Sequence, residues 1–244
     1  MTMHKPREHK ALHVLANLTL LSAATGSQAA DPIFFGPSAY LSAADIPVNF
    51  YLGGSPTVLE TLEDGALDST LGGDFGELLS SGFAGARDSV DVDDGLIDGS
   101  CRQQSSGHCV SWFNGNGVEG VTFSYVGNGA LPTAFGLVWT DGGGSITFRA
   151  IGANGQSLGS ITRSGFADNR IDASTEEDRF FGVQFAGGIR SISISNTSGG
   201  IEVDHIQYGQ MSNPVPEPGT WALMAAGLLG LAGLRRRVST GSHA

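Results

Sequence analysis

The sequence predicts an all-β fold, a single β-sandwich (jelly-roll-like) domain, on three observations. Short runs alternate apolar and polar residues with a period of two. Turn residues separate these runs at near-regular intervals. Glycine is abundant, 37 of 244 residues, and the middle of the chain has no long stretch of helical periodicity.

The elements follow in chain order. Residues 58–64 (Val-Leu-Glu-Thr-Leu-Glu-Asp) read as a strand feeding a turn at Asp64-Gly65, and residues 74–79 as a short helix. Val121-Thr122-Phe123-Ser124-Tyr125 alternates, and residues 135–139 do so less cleanly. Residues 146–150 run through Asn154-Gly155 into residues 157–161. Asn-Gly between two alternating runs is a strong hairpin signal, because both residues tolerate positive φ. Residues 181–185 and 192–194 come next, with Gly187-Gly188 between them, and residues 201–208 close the set. In Ser191-Ile192-Ser193-Ile194-Ser195 the serines mark a wet face and the isoleucines a core face. Phe180 and Phe181 divide between the two faces, with one of them in the core. Strands following strands, without interleaved helices, favour a sandwich over a parallel α/β sheet. No linker rich in proline or serine divides the middle, so residues 30–212 form one extracytoplasmic domain with room for one core.

Both ends read as addresses. Residues 1–29 have the build of a secretory signal peptide: Lys5, Arg7 and Lys10, then a mostly apolar run over residues 11–24 that His13 and Asn17 interrupt, then Ser27-Gln28-Ala29. The small residues place the cut after Ala29 or Ala30. At the other end, Asn213-Pro214-Val215-Pro216-Glu217-Pro218 cannot continue a strand ladder or start a helix before its last proline. Residues 219–234 are then uncharged. As a helix they span about 24 Å, against the roughly 30 Å of a hydrocarbon core. Trp221 at one end and Arg235, Arg236 and Arg237 at the other are interface anchors, which predicts a short transmembrane helix with its C-terminal end in the cytoplasm. Residues 238–244 are a tail.

Val215-Pro216-Glu217-Pro218, an apolar segment rich in Leu, Gly and Ala, and Arg235-Arg236-Arg237, in that order, resemble the PEP-CTERM sorting domain of Gram-negative bacteria. The resemblance implies recognition by an exosortase after Sec export, a transient inner-membrane intermediate, cleavage near the motif, and release or attachment at the cell surface. It associates such proteins with bacteria that make exopolysaccharide. Residues 63–67, 88–100, 136–141, 177–183 and 202–209 are also similar to uncharacterised PEP-CTERM proteins, a likeness that implies no activity.

Composition narrows the rest. Within the mature domain seven arginines face 22 carboxylates, a net of −15. Such a field repels nucleic acid and anionic lipid and attracts divalent cations. Nucleic-acid binding is excluded on that ground. Cys101 and Cys109 are the only cysteines, and in an exported chain they read as a disulfide contributing about 2–3 kcal/mol. Thiol metal ligands are the alternative, although seven intervening residues match no common zinc pattern.

Asp88, Asp91, Asp93, Asp94 and Asp98 are spaced as a loop would present oxygens to Ca²⁺. An EF-hand fails, because putting Gly95 at the sixth loop position puts Val90 and Val92 at the first and third. The choices are a non-EF calcium loop or a solvated acidic turn. Asp204 is a further calcium candidate, by analogy with carbohydrate-binding jelly rolls. For catalysis the domain offers only His108 and His205, and Ser106-Gly107-His108-Cys109 is not a nucleophile elbow. Glu176-Glu177-Asp178 invites comparison with a glycosidase pair, but carboxylates are too common here to single out two. Arg179 beside them reads as an ion-pair partner, and His205 as a structural histidine. Trp112 and Asn114, ahead of a glycine-rich turn, are the candidates for stacking on and hydrogen bonding to a sugar, with core burial the alternative for Trp112, whereas Trp139 reads as core. The expectation is a non-catalytic protein with a structural or adhesive role. The alternatives are a carbohydrate-binding module for exopolysaccharide and an extracellular hydrolase.

Overall fold

The computed structural model describes residues 31–81, 90, 109–167, 177–211, 224 and 226–228. Their ten strands are β1 (Ile33–Ala39), β2 (Val58–Glu60), β3 (Leu71–Asp74), β4 (Glu77–Ser81), β5 (Cys109–Asn114), β6 (Val121–Tyr125), β7 (Ala134–Gly152), β8 (Ser157–Arg163), β9 (Arg179–Gln184) and β10 (Ile189–Gly209). All pairings are antiparallel. The strands form one sheet with the order β1-β9-β7-β10-β5-β4; β8 joins β7, β2 and β6 join β10, and β3 joins β6.

A jelly-roll sandwich would have two separate sheets, and the described residues form one. The reason lies in β7 and β10. The alternating runs at 135–139 and 146–150 are a single strand, as are those at 192–194 and 201–208. Gly142-Gly143-Gly144 lies opposite the Asn196–Ile201 stretch, where the register slips repeatedly. The strands bend there instead of ending, which lets one sheet supply both walls of a core. Beyond the bend the pair carries β8, β6 and β3; before it, the pair carries β9, β1, β5, β4 and β2. Rings from the two halves meet across the main core. Phe148 stacks on Phe181 at 5.9 Å, Trp112 meets Phe123 at 5.5 Å, and Tyr125 meets Tyr208 at 5.3 Å.

The opposite face of β9, β7 and β10 holds a second core. Tyr40, Phe50 and Tyr51 close over Val138 and Phe180, with Phe50 edge-on to Phe180 at 5.1 Å. Phe180 lies in this second core and Phe181 in the main one, so both rings are buried where the sequence predicts one in the core, because the sheet is covered on both faces here. Beyond the bend, the outer face is wet. Ser191, Ser193 and Ser195 are half-buried there, while Ile192 and Ile194 are in the core.

The Asn154-Gly155 hairpin forms between β7 and β8, with Gly152 and Gln156 bonded across it at 2.9 Å. Two local expectations need correcting. Residues 74–79 are not helical: β3 ends at Asp74, Phe75 adopts φ 62°, and β4 starts at Glu77. The strand from Val58 ends at Glu60, because the Glu60 side chain turns the chain back on itself.

Among the described residues no helix is long and apolar enough to cross a membrane. Residues 1–29, 238–244, and the predicted sorting segment apart from the helical residues 224 and 226–228 lie outside the described residues.

Candidate functional site

The second half of β10 is buried on both faces, and its sequence, Ile-Glu-Val-Asp-His-Ile-Gln-Tyr, is unusually polar for such a strand. Asp204 pairs with Val138 and Gln207 with Gly136, so the intervening stretch of β10 has one residue too many. The bulge falls at His205, whose φ is 42°. His205 Nδ1 and the Tyr40 hydroxyl are 2.9 Å apart, and the Tyr40 N–H donates to the Asp178 carbonyl at 3.2 Å. Asp204 Oδ1 accepts from the His205 N–H at 2.6 Å, and Oδ2 from the Val90 N–H at 3.1 Å. One carboxylate therefore shapes its own bulge and holds a point in the acidic 88–98 stretch. Asp141, which pairs with Glu202 on β10, and Glu177, Asp178 and Glu202 are buried as well.

A second polar cluster organises the loop after β2. Glu60 accepts from the Leu62 N–H at 2.6 Å and the Asp68 N–H at 2.5 Å, which holds Leu62 at φ 63°. Burial pushes the Glu60 carboxyl above its usual range, with the two N–H donors opposing the shift. Glu63 Oε1 accepts from the Val110 N–H at 3.0 Å. Asp68 accepts from both the amide and the hydroxyl of Thr70, and that hydroxyl lies 2.6 Å from the Tyr208 hydroxyl. Burial raises the Tyr208 phenol, again against a hydrogen bond from Thr70.

Of the residues the sequence singles out, Asp88, Asp91, Asp93, Asp94, Asp98, Cys101 and His108 lie outside the described residues, as do Val215, Pro216, Glu217, Pro218, Arg235, Arg236 and Arg237. Cys109 opens β5 opposite Ser81, and the Cys101–Cys109 pairing is likewise outside them. Among the described residues no three of His, Cys, Asp and Glu converge to hold a metal ion. Trp112 is 9% exposed and donates through Nε1 to the Phe75 carbonyl at 3.3 Å. Asn114 donates to the Gly120 carbonyl at 2.7 Å and accepts from the Asn116 N–H at 2.9 Å, closing the β5–β6 turn. Trp139 is fully buried. Arg179 donates to the Asp178 carbonyl at 2.7 Å and lies over the Phe166 ring at 5.6 Å. The roles of Glu60, Glu63 and Tyr40 are not anticipated by the sequence. The nearest signal is a carboxylate closing an apolar run just before Asp64-Gly65.

Comparison with known proteins bears mainly on the C-terminus. Among curated proteins the chain has no match. Three solved structures are similar at low identity. The enzymatically active domain of bacteriophage CBA120 tailspike protein 4 is 15% identical with a TM-score of 0.30, over 58% of this chain and 19% of that one. The chain thus spans about a fifth of the tailspike domain's length. A xylan-binding domain from CBM 22 is 14% identical with a TM-score of 0.30, over 65% of this chain and 96% of that one. The C-terminal family 22 carbohydrate binding module of Clostridium thermocellum Xyn10B is 14% identical with a TM-score of 0.26, over 66% and 98%. Scores of this size support no argument about ligand. Residues 214–237 match the PEP-CTERM protein-sorting motif, which implies export, processing by an exosortase and sorting to the cell surface. Residues 214–237 thus give the chain a PEP-CTERM protein-sorting motif.

Proposed function

We propose that this protein is a non-catalytic structural or adhesive component of the cell surface or extracellular matrix. Sec export delivers the β domain outside, residues 219–234 hold it in the inner membrane with Arg235–Arg237 in the cytoplasm, and exosortase then cuts near Glu217. The order of parts carries this reading. The last strand ends at Gly209, the Met211 N–H is tied to Thr133 Oγ1 at 2.8 Å, and the matched motif begins at residue 214. A proline-spaced segment directly after the last strand cannot extend its ladder, which supports its being open to a membrane enzyme. His205, with Nδ1 engaged by Tyr40 and no exposure, supports the non-catalytic part. The test is the intact mass of the mature protein from hosts with and without exosortase. Loss of everything beyond the motif only when exosortase is present is the expected result. An epitope tag placed after Arg237 that survives in both hosts means a plain membrane anchor.

Carbohydrate binding is the second reading, and the wet face beyond the bend favours it. Thr147 and Thr162 hydroxyls lie 3.0 Å apart, Arg149 reaches Ser195 Oγ at 3.3 Å, and Ser193 sits opposite both Arg149 and Thr122. Hydroxyls flanking a guanidinium suit a polyol. Glycan-array binding that Arg149→Ala weakens supports this second reading, and no binding to any glycan removes it.

A further inference from the structure

The 17 residues from Leu41 to Thr57 contain one charged side chain, Asp45, in a domain of net charge −15. That carboxylate is turned onto its own backbone, where Oδ2 accepts from the N–H groups of Leu41 at 2.8 Å and Ser42 at 3.2 Å. The rest of the segment is uncharged, and three of its exposed side chains are large and apolar. Val48 is 88% exposed, Leu52 64% and Leu41 42%. Val48 and Leu52, with Ile46, Pro47 and Tyr51, line a surface depression of about 560 Å³.

Leu41 follows Ala39, which pairs with Arg179 at the far end of β1, whereas Val48 and Leu52 lie at the opposite, Ile33 end. Ile33, Gln184, Ala134 and Gly209 pair in a row across β1, β9, β7 and β10. Gln184 Nε2 donates to the carbonyls of Asn49 and Phe50 at 3.0 and 2.7 Å, and the Leu52 N–H donates to the Gln210 carbonyl at 2.7 Å. The described domain begins at Asp31 and leaves its last strand at Gly209 on this same end. Only residues 212–218, seven residues with three prolines, separate Met211 from the apolar stretch 219–234. At about 3.1 Å per residue, a proline-rich spacer of that length reaches about 22 Å. A domain on so short a tether presents this end to whatever surface holds the apolar stretch. An acidic surface there is repelled by anionic lipid and loses hydration to any bilayer, and a charge-poor apolar one avoids both.

We infer that Val48 and Leu52 form a lipid-contacting shelf that seats the β domain on the bilayer while residues 219–234 are still inserted. The partner is the headgroup–acyl boundary of a neutral bilayer, and the contact fixes the height at which Pro216-Glu217-Pro218 meets its enzyme. The inference rests on the membrane-tethered intermediate proposed above.

The test uses the full chain reconstituted in phosphatidylcholine vesicles, with a photoreactive benzophenone side chain at position 41, 48, 52 or 118. Leu41, past Ala39 at the other end of β1, is one control and Val118 is the other. Val118 is 68% exposed, and its neighbour Gly117 is bonded to Gly199, ten residues before Gly209 on β10. After flotation and irradiation, lipid adducts at 48 and 52 are expected at several times the level at 41 and 118. In the Val48→Asp chain, adducts at 52 should fall to the level at 118. A chain that floats yet labels equally at all four positions overturns the shelf and leaves the tether standing. A chain that does not float overturns the tether, and the shelf with it. In cells containing exosortase, a protein adduct replacing the lipid adduct also overturns the lipid assignment and makes the shelf a docking surface for a protein.

Discussion

Three tyrosines in or beside the cores show how the same side chain is treated differently. Tyr40 shares a hydrogen bond with His205 and Tyr208 with Thr70, but the Tyr51 hydroxyl, on a residue 1% exposed, has no partner among the described residues. Burial, with a smaller contribution from Tyr40, pushes the Tyr51 phenol well above its ordinary value. A buried hydroxyl without a partner carries a desolvation cost of about 1–3 kcal/mol. Tyr51→Phe is therefore expected to stabilise the domain by about 1 kcal/mol, raising Tm by about 2–4 °C. The folded state favours the neutral phenol, so Tyr51 supports folding below the ordinary phenol pKa, and that support is lost as pH rises through the elevated one. The variant should lose less stability between neutral and strongly alkaline pH, which melts across that range would register. A lower Tm for the variant would mean that the hydroxyl is satisfied. None of this is legible in the sequence, where Tyr51 is one aromatic in a loop. Glu60 is equally hidden, because its role depends on Leu62 and Asp68 returning to it.

At the next scale, alternation located the strands well and their ends poorly. Residues 121–125 and 157–161 became β6 and β8, since a period of two survives wherever one face is wet. The Gly142-Gly143-Gly144 run looked like a break and is a bend, because neighbouring strands continue to pair across it. Glycine marks a backbone demand without saying which. Gly144 and Gly155 separate the two parts of that demand. Both have positive φ, 81° and 77°, but a Cβ on Gly144 would sit 2.2 Å from Thr197 Oγ1, whereas one on Gly155 would meet nothing within 4 Å. Gly155→Ala should cost about 1 kcal/mol from backbone strain alone. Gly144→Ala should cost about 1–3 kcal/mol more, because Thr197 Oγ1 also accepts the Ser145 N–H at 2.9 Å and cannot move away freely. Urea denaturation of the two variants decides it. Equal losses would mean that the corner yields, and that the bend in β7 is less constrained than its contacts imply.

For the whole molecule, the address was readable because sorting enzymes read local chemistry, a proline motif, an apolar run and arginines in order, and these occupy contiguous residues. The cargo was readable only as β structure, because any binding surface depends on which distant strands become neighbours. The acidic residues lie between these cases. Their number is plain from the sequence, and the contact of Val90 with Asp204 joins the 88–98 stretch to the last strand. A domain of net charge −15 carries mutual repulsion in its folded state, which cations relieve either by screening or by occupying a site. The two are separable. In 0.15 M NaCl the Debye length is already about 8 Å, and adding millimolar calcium hardly changes it. A site half-filled at tens of micromolar calcium would then add about 2.7 kcal/mol at a hundredfold excess, or about 5–10 °C in Tm for a domain of this size. Melting the full chain in 0.15 M NaCl with millimolar Ca²⁺ or with chelator measures this directly. The calcium proposal expects the higher Tm with Ca²⁺, and a chain with Asp91 and Asp93 changed to Asn should lose the difference. Equal melting temperatures assign the acidic stretch to a solvated turn and leave Asp204 as a hydrogen-bonding anchor for it.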